Sequence, residues 1–201
     1  MKRYSISFCL GVLLMGTSKA EESGSVENTA ETIEITPEQQ NKGVEAFLDV
    51  YKVLQHPRCL NCHPNGAAPL QGEDSKPHDM NISRASTETG LSCPACHQIN
   101  NSEAYGILDG PPGAPNWHLP DKDMPLIFEG RSPAELCSQL KNPKENGDKT
   151  LAELVEHVTH DPLVLWGWNP GSDRKNPPIN HENFSKQFKV WAELGGPCPT
   201  E

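Results

Sequence analysis

Apolar side chains keep a helical period in three stretches of the chain, and a capping box marks a fourth helix. Val44, Phe47, Leu48, Tyr51 and Leu54 fall on one face of a helix. Thr36-Pro37-Glu38-Gln39 opens it as a capping box with proline at the first helical position, and His56-Pro57 closes it. Ser132-Pro133-Ala134-Glu135 starts a second helix that runs through Leu140, and Thr150-Leu151-Ala152-Glu153 starts a third. Leu151, Leu154, Val155 and Val158 form the buried stripe of that third helix. A last helix, from about His181 to Leu194, presents Phe184, Phe188 and Trp191 and stops at Gly195-Gly196-Pro197. From 64 to 92 and from 98 to 131, Gly, Pro, Asn and Asp dominate and predict loops and short turns. No run alternates with period two. The pattern predicts a mainly α, loop-rich single domain over residues 37–201.

The start of the chain reads differently. Lys2 and Arg3, an apolar run from Ile6 to Met15 and the small-x-small sequence Ser18-Lys19-Ala20 have the order of a secretory signal peptide spanning residues 1–20. That run is shorter than the ~20 apolar residues of a transmembrane helix, and no later segment approaches them, so no membrane span is expected after cleavage. Residues 21–36 are acidic and poor in aromatics, as in a mobile lead segment. Export would place the protein in the periplasm. Removing Lys2, Arg3 and Lys19 with the signal takes the formal charge from −10 to −13. Such acidity argues against nucleic acid as a partner and favours redox partner proteins with a basic docking surface.

Composition then raises a packing problem. Only 35% of residues are hydrophobic, while the chain holds 16 Gly and 19 Pro, so a core made of side chains alone is thin for this length. A large buried cofactor would fill it, and two motifs propose one. Residues 59–63 read Cys-Leu-Asn-Cys-His and residues 93–97 read Cys-Pro-Ala-Cys-His. With 7 Cys and 8 His in 201 residues, about 0.01 Cys-x-x-Cys-His matches are expected by chance. In a c-type cytochrome the two thiols form thioethers with the haem vinyl groups and the following histidine ligates iron. Cys59, Cys62, Cys93 and Cys96 would attach two c-type haems, with His63 and His97 as the iron ligands. A Cys₄ zinc site is the first rival, but it gives no reason for a histidine at the same place in both motifs. A redox dithiol is the second, and the strand-turn-helix setting it expects is missing.

With Cys9 in the signal and four cysteines in the motifs, Cys137 and Cys198 remain. In an exported protein they predict one structural disulfide. The sixth iron position needs further donors, and two loops each offer a histidine and a methionine: His78 with Met80, and His118 with Met124. We order them His78, Met124, His118 and then Met80. Each loop would cap one haem. His157 and His160 sit in the last turn of the third helix, where a cation meets the helix dipole, and read as structural. His181 reads as solvated. Trp166 and Trp168 read as a hydrophobic plug, and Arg58, Lys76 and Arg84 as candidate partners of haem propionates.

Taken together, the paired motifs, His78-Asp79-Met80 with Asn81-Ile82-Ser83-Arg84 after it, and the segments at 112–120, 135–142, 163–171 and 195–199 resemble exported dihaem c-type cytochromes. Bacterial proteins of this kind are often labelled isoquinoline 1-oxidoreductase subunits. The likeness covers residues 56–199. It implies an electron acceptor serving a molybdenum-type hydroxylase. The chain itself has no molybdopterin or iron–sulfur ligand pattern, which excludes the catalytic subunit. An electron relay with no substrate site is the expected function, and the alternative is a small dihaem peroxidase-like enzyme with one open iron position.

Overall fold

Helix α1 (Pro37–Leu54) begins where the capping box puts it. The Thr36 hydroxyl accepts from the Gln39 amide at 3.2 Å, and the Gln39 side chain accepts from the Thr36 amide at 2.8 Å. These paired bonds satisfy two amides that the first helical turn leaves open. The computed structural model describes residues 35–102, 110–171 and 173–200. The signal peptide assigned to residues 1–20, and all of the lead segment except residues 35 and 36, lie outside the described residues. Described elements follow in the order α2 (Pro57–Leu60), β1 (Leu70–Gln71), β2 (Lys76–Pro77), α3 (Arg84–Glu88), α4 (Pro133–Lys141), α5 (Leu151–His160), α6 (Pro162–Leu165) and α7 (His181–Glu193). The architecture is mainly helical, as the pattern predicts.

The core lies where four long helices meet. Helix α1 packs on α7 and α4, and α7 also packs on α5. Phe47, Val50 and Val53 of α1, Leu136 of α4 and Trp191 of α7 are fully buried. Each such aliphatic or phenyl side chain removed from water contributes about 2 kcal/mol. The aromatic rings form a continuous row: Phe47 lies 5.2 Å from Trp191, Trp191 5.3 Å from Phe188, Phe188 6.0 Å from Phe184, and Phe184 5.1 Å from Trp168. Helices α4 and α5 open with the predicted capping boxes. Between them, buried Asn146 holds the turn by donating to Leu140 O and Lys149 O, both at 2.8 Å.

The chain after α7 folds back onto α1 and α4. Gly195 and Gly196 have φ of 77° and 66°, the left-handed conformation that ends a helix without a Cβ clash. A Cβ built on Gly43 would lie 2.3 Å from Cγ of Pro197, so α1 is notched to admit this tail. The Trp191 indole donates to Pro197 O at 3.1 Å. The sulfurs of Cys137 and Cys198 are 2.06 Å apart, which ties the tail to α4.

Residues 61–131 contribute little to this core. The short helix α3 and the two-residue ribbon, with Leu70 paired to Pro77 and Gln71 to Lys76, stand where the sequence reading expects only loops. Elements of two to five residues are too short to show a period. The other correction is His181, which is not simply solvated. Its Nε2 lies 2.9 Å from Val158 O and its ring meets Trp168 edge-on at 4.8 Å.

Candidate functional site

The first motif continues the turn begun by α2. Pro57 at the first helical position and His56 Nδ1, which accepts the Arg58 amide at 3.3 Å, start that turn. The Cys62 amide then donates to Cys59 O at 3.1 Å and the His63 amide to Leu60 O at 3.0 Å. A three-residue step on such a turn puts both thiols on one side. The His63 carbonyl accepts from the Phe128 and Glu129 amides at 2.9 and 3.2 Å, anchoring the distant 126–129 segment. In return, the His63 ring stacks on Phe128 at 3.9 Å and its Nδ1 lies 2.7 Å from Leu126 O. A carbonyl oxygen only accepts, so Nδ1 carries the hydrogen and Nε2 keeps its lone pair. Leu126 is held at φ 48°, a left-handed conformation that disfavours a bulky side chain, and it supplies this carbonyl.

Burial pushes the His63 pKa down to about 4, leaving a neutral imidazole near pH 7. It likewise raises the Cys59 thiol to about 12 and the Cys62 thiol to about 11. Cys93 adds to the shift at Cys62, so the two motifs lie within electrostatic reach of each other.

The second motif repeats the design on lighter supports. A 3₁₀ turn over Cys93–Ala95 starts at Cys93-Pro94, and the Cys96 and His97 amides both donate to Cys93 O, at 3.1 and 2.9 Å. His97 Nδ1 lies 2.7 Å from Pro112 O, and its ring stacks on Trp117 at 4.6 Å. Burial again lowers the imidazole pKa. The Pro112 carbonyl is held by close packing, since a Cβ on Gly113 would meet Asn100 O at 2.1 Å and Gln98 O at 2.3 Å. Asn101 locks the same place: its Oδ1 accepts the Gly113 amide at 3.1 Å and the Trp166 indole at 2.8 Å, and its Nδ2 donates to Asn169 O at 3.0 Å.

No family model, curated protein or solved structure matches this chain. The chemistry of the site therefore rests on its own geometry.

That geometry sorts the eight histidines. His63, His78, His97 and His118 each place Nδ1 against a backbone carbonyl, at 2.7, 2.8, 2.7 and 2.6 Å. These are the four chosen from sequence as candidate ligands. In all four the bond fixes the tautomer that offers Nε2 to a metal, as ligating histidines do when a carbonyl takes the other N–H. The remaining four are engaged differently. His56 Nδ1 accepts an amide, His157 Nδ1 faces Asp161 at 3.3 Å, His160 Nε2 faces Glu156 at 3.6 Å and His181 uses Nε2.

Half-buried His78 has its ring centroid 6.0 Å from that of His97. Exposed His118 stands in the field of His63, as does His157. Met124 is half-buried in a loop that Arg84 staples through Pro120 O and, at 3.5 Å, Pro125 O. Met80 is 77% exposed at φ 62°. His157, which reads as structural from sequence, joins the first motif's surroundings. Its i,i+4 carboxylate, Asp161, is the one sequence signal for an oriented imidazole.

The two tryptophans part company. Trp168 joins the core row, donating to Ile179 O at 2.8 Å. Trp166 meets Trp117 edge-on at 4.8 Å, and Arg58 lies 5.9 Å from its ring centre. Trp166 thus spans from the residue before Cys59 to the ring stacked on His97.

Two further observations suit a porphyrin, and two disfavour its rivals. Arg58 is buried beside Cys59 and pairs with Glu73, yet its Nε has no hydrogen-bond partner among the described residues. A haem propionate is an acceptor of the right charge for that atom. Met80, Leu91 and Ile99, exposed apolar side chains, cluster in sequence about the second motif and suit an apolar macrocycle. A bare metal ion fits less well, because among the described residues no group of three or more His, Cys, Asp or Glu is gathered to hold one. Thiols pushed upward by burial are also the reverse of what a reactive redox pair needs.

Proposed function

We propose that the protein is an exported dihaem c-type cytochrome that relays single electrons between redox partner proteins. Cys59 and Cys62 would attach one haem and Cys93 and Cys96 the other, with His63 and His97 as proximal ligands. Bound haem supplies a one-electron iron couple. The chain's own part is to present a neutral imidazole at each iron, hold its ring by a carbonyl bond and a stacked aromatic, and exclude water. The observation that carries the reading is the shared Nδ1-to-carbonyl bond of His63 and His97, at 2.7 Å in both.

Arg58, through its unpartnered Nε, is our candidate for a propionate of the first haem, and His78, His118 and Met124 are the candidates for distal positions. Acidic charge points to partners with a basic docking face, and the resemblance to isoquinoline 1-oxidoreductase subunits suggests that one partner is a hydroxylase. Among the described residues no helix is long and apolar enough to cross a membrane.

Produced in a host competent for haem attachment, the protein should be red and keep its colour after denaturation. It should titrate as two reversible one-electron centres and bind carbon monoxide poorly. Ready carbon monoxide binding at one haem in the unmodified protein, with peroxide turnover, would favour the peroxidase-like alternative. A colourless product overturns the haem assignment.

A further inference from the structure

We infer that His78 and His97 hold one iron between them, which makes the haem at Cys93 and Cys96 bis-histidine. The inference rests on the haem reading above and adds to it a named distal ligand for a named haem.

Spacing is the first argument. An iron bound end-on by two imidazole nitrogens at ~2.0 Å each separates the ring centroids by ~6 Å. The His78 and His97 centroids are 6.0 Å apart. Face-to-face stacking brings rings closer, as with His63 and Phe128 at 3.9 Å, whereas the edge-on pair Phe184 and Phe188 reaches 6.0 Å with no metal between, so the spacing admits an iron and the orientation of the nitrogens assigns it. Tautomer is the second argument. Asp79 O takes Nδ1 of His78 and Pro112 O takes Nδ1 of His97, so both rings keep Nε2 for a metal.

Each ring is also held by a separate part of the chain. His97 has Trp117 on its face. The His78 amide donates to Pro69 O at 3.0 Å, at the foot of the β1–β2 ribbon. That ribbon is itself rooted in the first motif, where the Leu70 amide donates to Asn61 O at 2.9 Å and Asn61 Nδ2 to Gly72 O at 3.0 Å. An arm anchored on the first motif therefore carries the ring that faces the second. Met80, two residues further on, has 77% of its surface exposed. Among the described residues, a divalent ion seated between the two imidazoles lacks the further protein donors such an ion takes. The rings are inclined at 65°, so the iron should show the strongly anisotropic low-spin EPR signal of crossed imidazole planes.

The test uses the full-length, haem-loaded protein and its variants His78→Ala, His78→Met, His97→Met and Met80→Ala, followed by EPR, optical and carbon monoxide titration. In the unmodified protein the anisotropic low-spin component should account for one of two haems. His78→Ala should convert that component to high spin and bind carbon monoxide at half of the total haem. His78→Met keeps a ligand at the same place; it should stay low-spin, gain the sulfur–iron absorption band and rise in potential. His97→Met should perturb the same component, and Met80→Ala neither. Two low-spin haems in His78→Ala, or loss of opposite components in the His78 and His97 variants, would overturn the pairing while leaving the dihaem reading standing. A chain that attaches no haem overturns both. If His78→Ala fails to fold, the band and potential of His78→Met decide by themselves.

Discussion

His63 and His97 make the same bond to a backbone carbonyl, but what stands behind each bond differs. His63 is stacked on Phe128, a residue of the hydrophobic core, and its own carbonyl binds the segment that supplies its acceptor. Helix α2, which carries Cys59, follows α1 after a two-residue break, so the helical core reaches directly into the first site. His97 is stacked on half-buried Trp117, follows an exposed Cys96, and takes its acceptor from a loop fixed by Gly113 and Asn101. One motif borrows its rigidity from helix packing. The other obtains it from a few close backbone approaches and one amide side chain. On the proposed function this asymmetry has an electrical meaning. Ferric haem carries one more positive charge than ferrous haem, so the drier first site favours the ferrous form and should have the higher potential. Electrons would run from the second haem to the first.

The largest loss of stability is expected at the disulfide. It closes a loop over a sequence separation of 61 residues and clips the tail to α4. Replacing both Cys137 and Cys198 by alanine should cost about 4 kcal/mol in urea unfolding. On the way to unfolding, the first haem's circular dichroism should change before that of the second. Phe128→Ala should cost about 3 kcal/mol, since that ring is buried and carries His63, and it should shift only the higher of the two potentials. Trp117→Ala is its counterpart. It should shift only the lower potential, with a smaller loss of stability, because that ring is only half-buried.

Gly113→Ala sharpens the second half of the comparison. A Cβ cannot stay at 2.1 Å from a backbone oxygen, so the Pro112 segment must move, at about 2 kcal/mol. The second haem's low-spin signal should broaden while the first is unchanged. A smaller effect is expected from acid. Glu135 and Glu153 close the capping boxes of α4 and α5, and the bonds from Ser132 and Thr150 lower their pKa values below the ordinary 4.5. A depressed carboxyl pKa means that this stabilisation is present above pH 4.5 and fades as the pH falls through the folded-state value. Glu135→Gln with Glu153→Gln should flatten that part of the stability–pH curve.

How far these sites could be read from sequence follows from the same asymmetry. Helices α1, α5 and α7 were legible because a capping box or helix stop and a 3.6-residue stripe marked them independently, and α4 because of its capping box alone. The cysteines and histidines of both motifs stand out in the sequence because the spacing they share is the one that covalent haem attachment would require. Loop residues followed no such rule. That Leu126 and Pro112 supply the carbonyls, that Asn101 locks the second site, and that Trp166 faces the motifs while Trp168 faces the core all depend on contacts between residues far apart in sequence. His78 could be chosen from sequence as a ligand. Its approach to His97 could not be read there, because only the fold brings the two rings together.

The most direct measurement is the haem stoichiometry of three chains by intact mass and pyridine haemochrome: the unmodified protein, Cys59→Ala with Cys62→Ala, and Cys93→Ala with Cys96→Ala. The account predicts two, one and one covalent haems, with the high-potential centre missing from the first variant and the low-potential centre from the second. An unmodified chain carrying no covalent haem, or a single haem lost in only one of the variants, would contradict it.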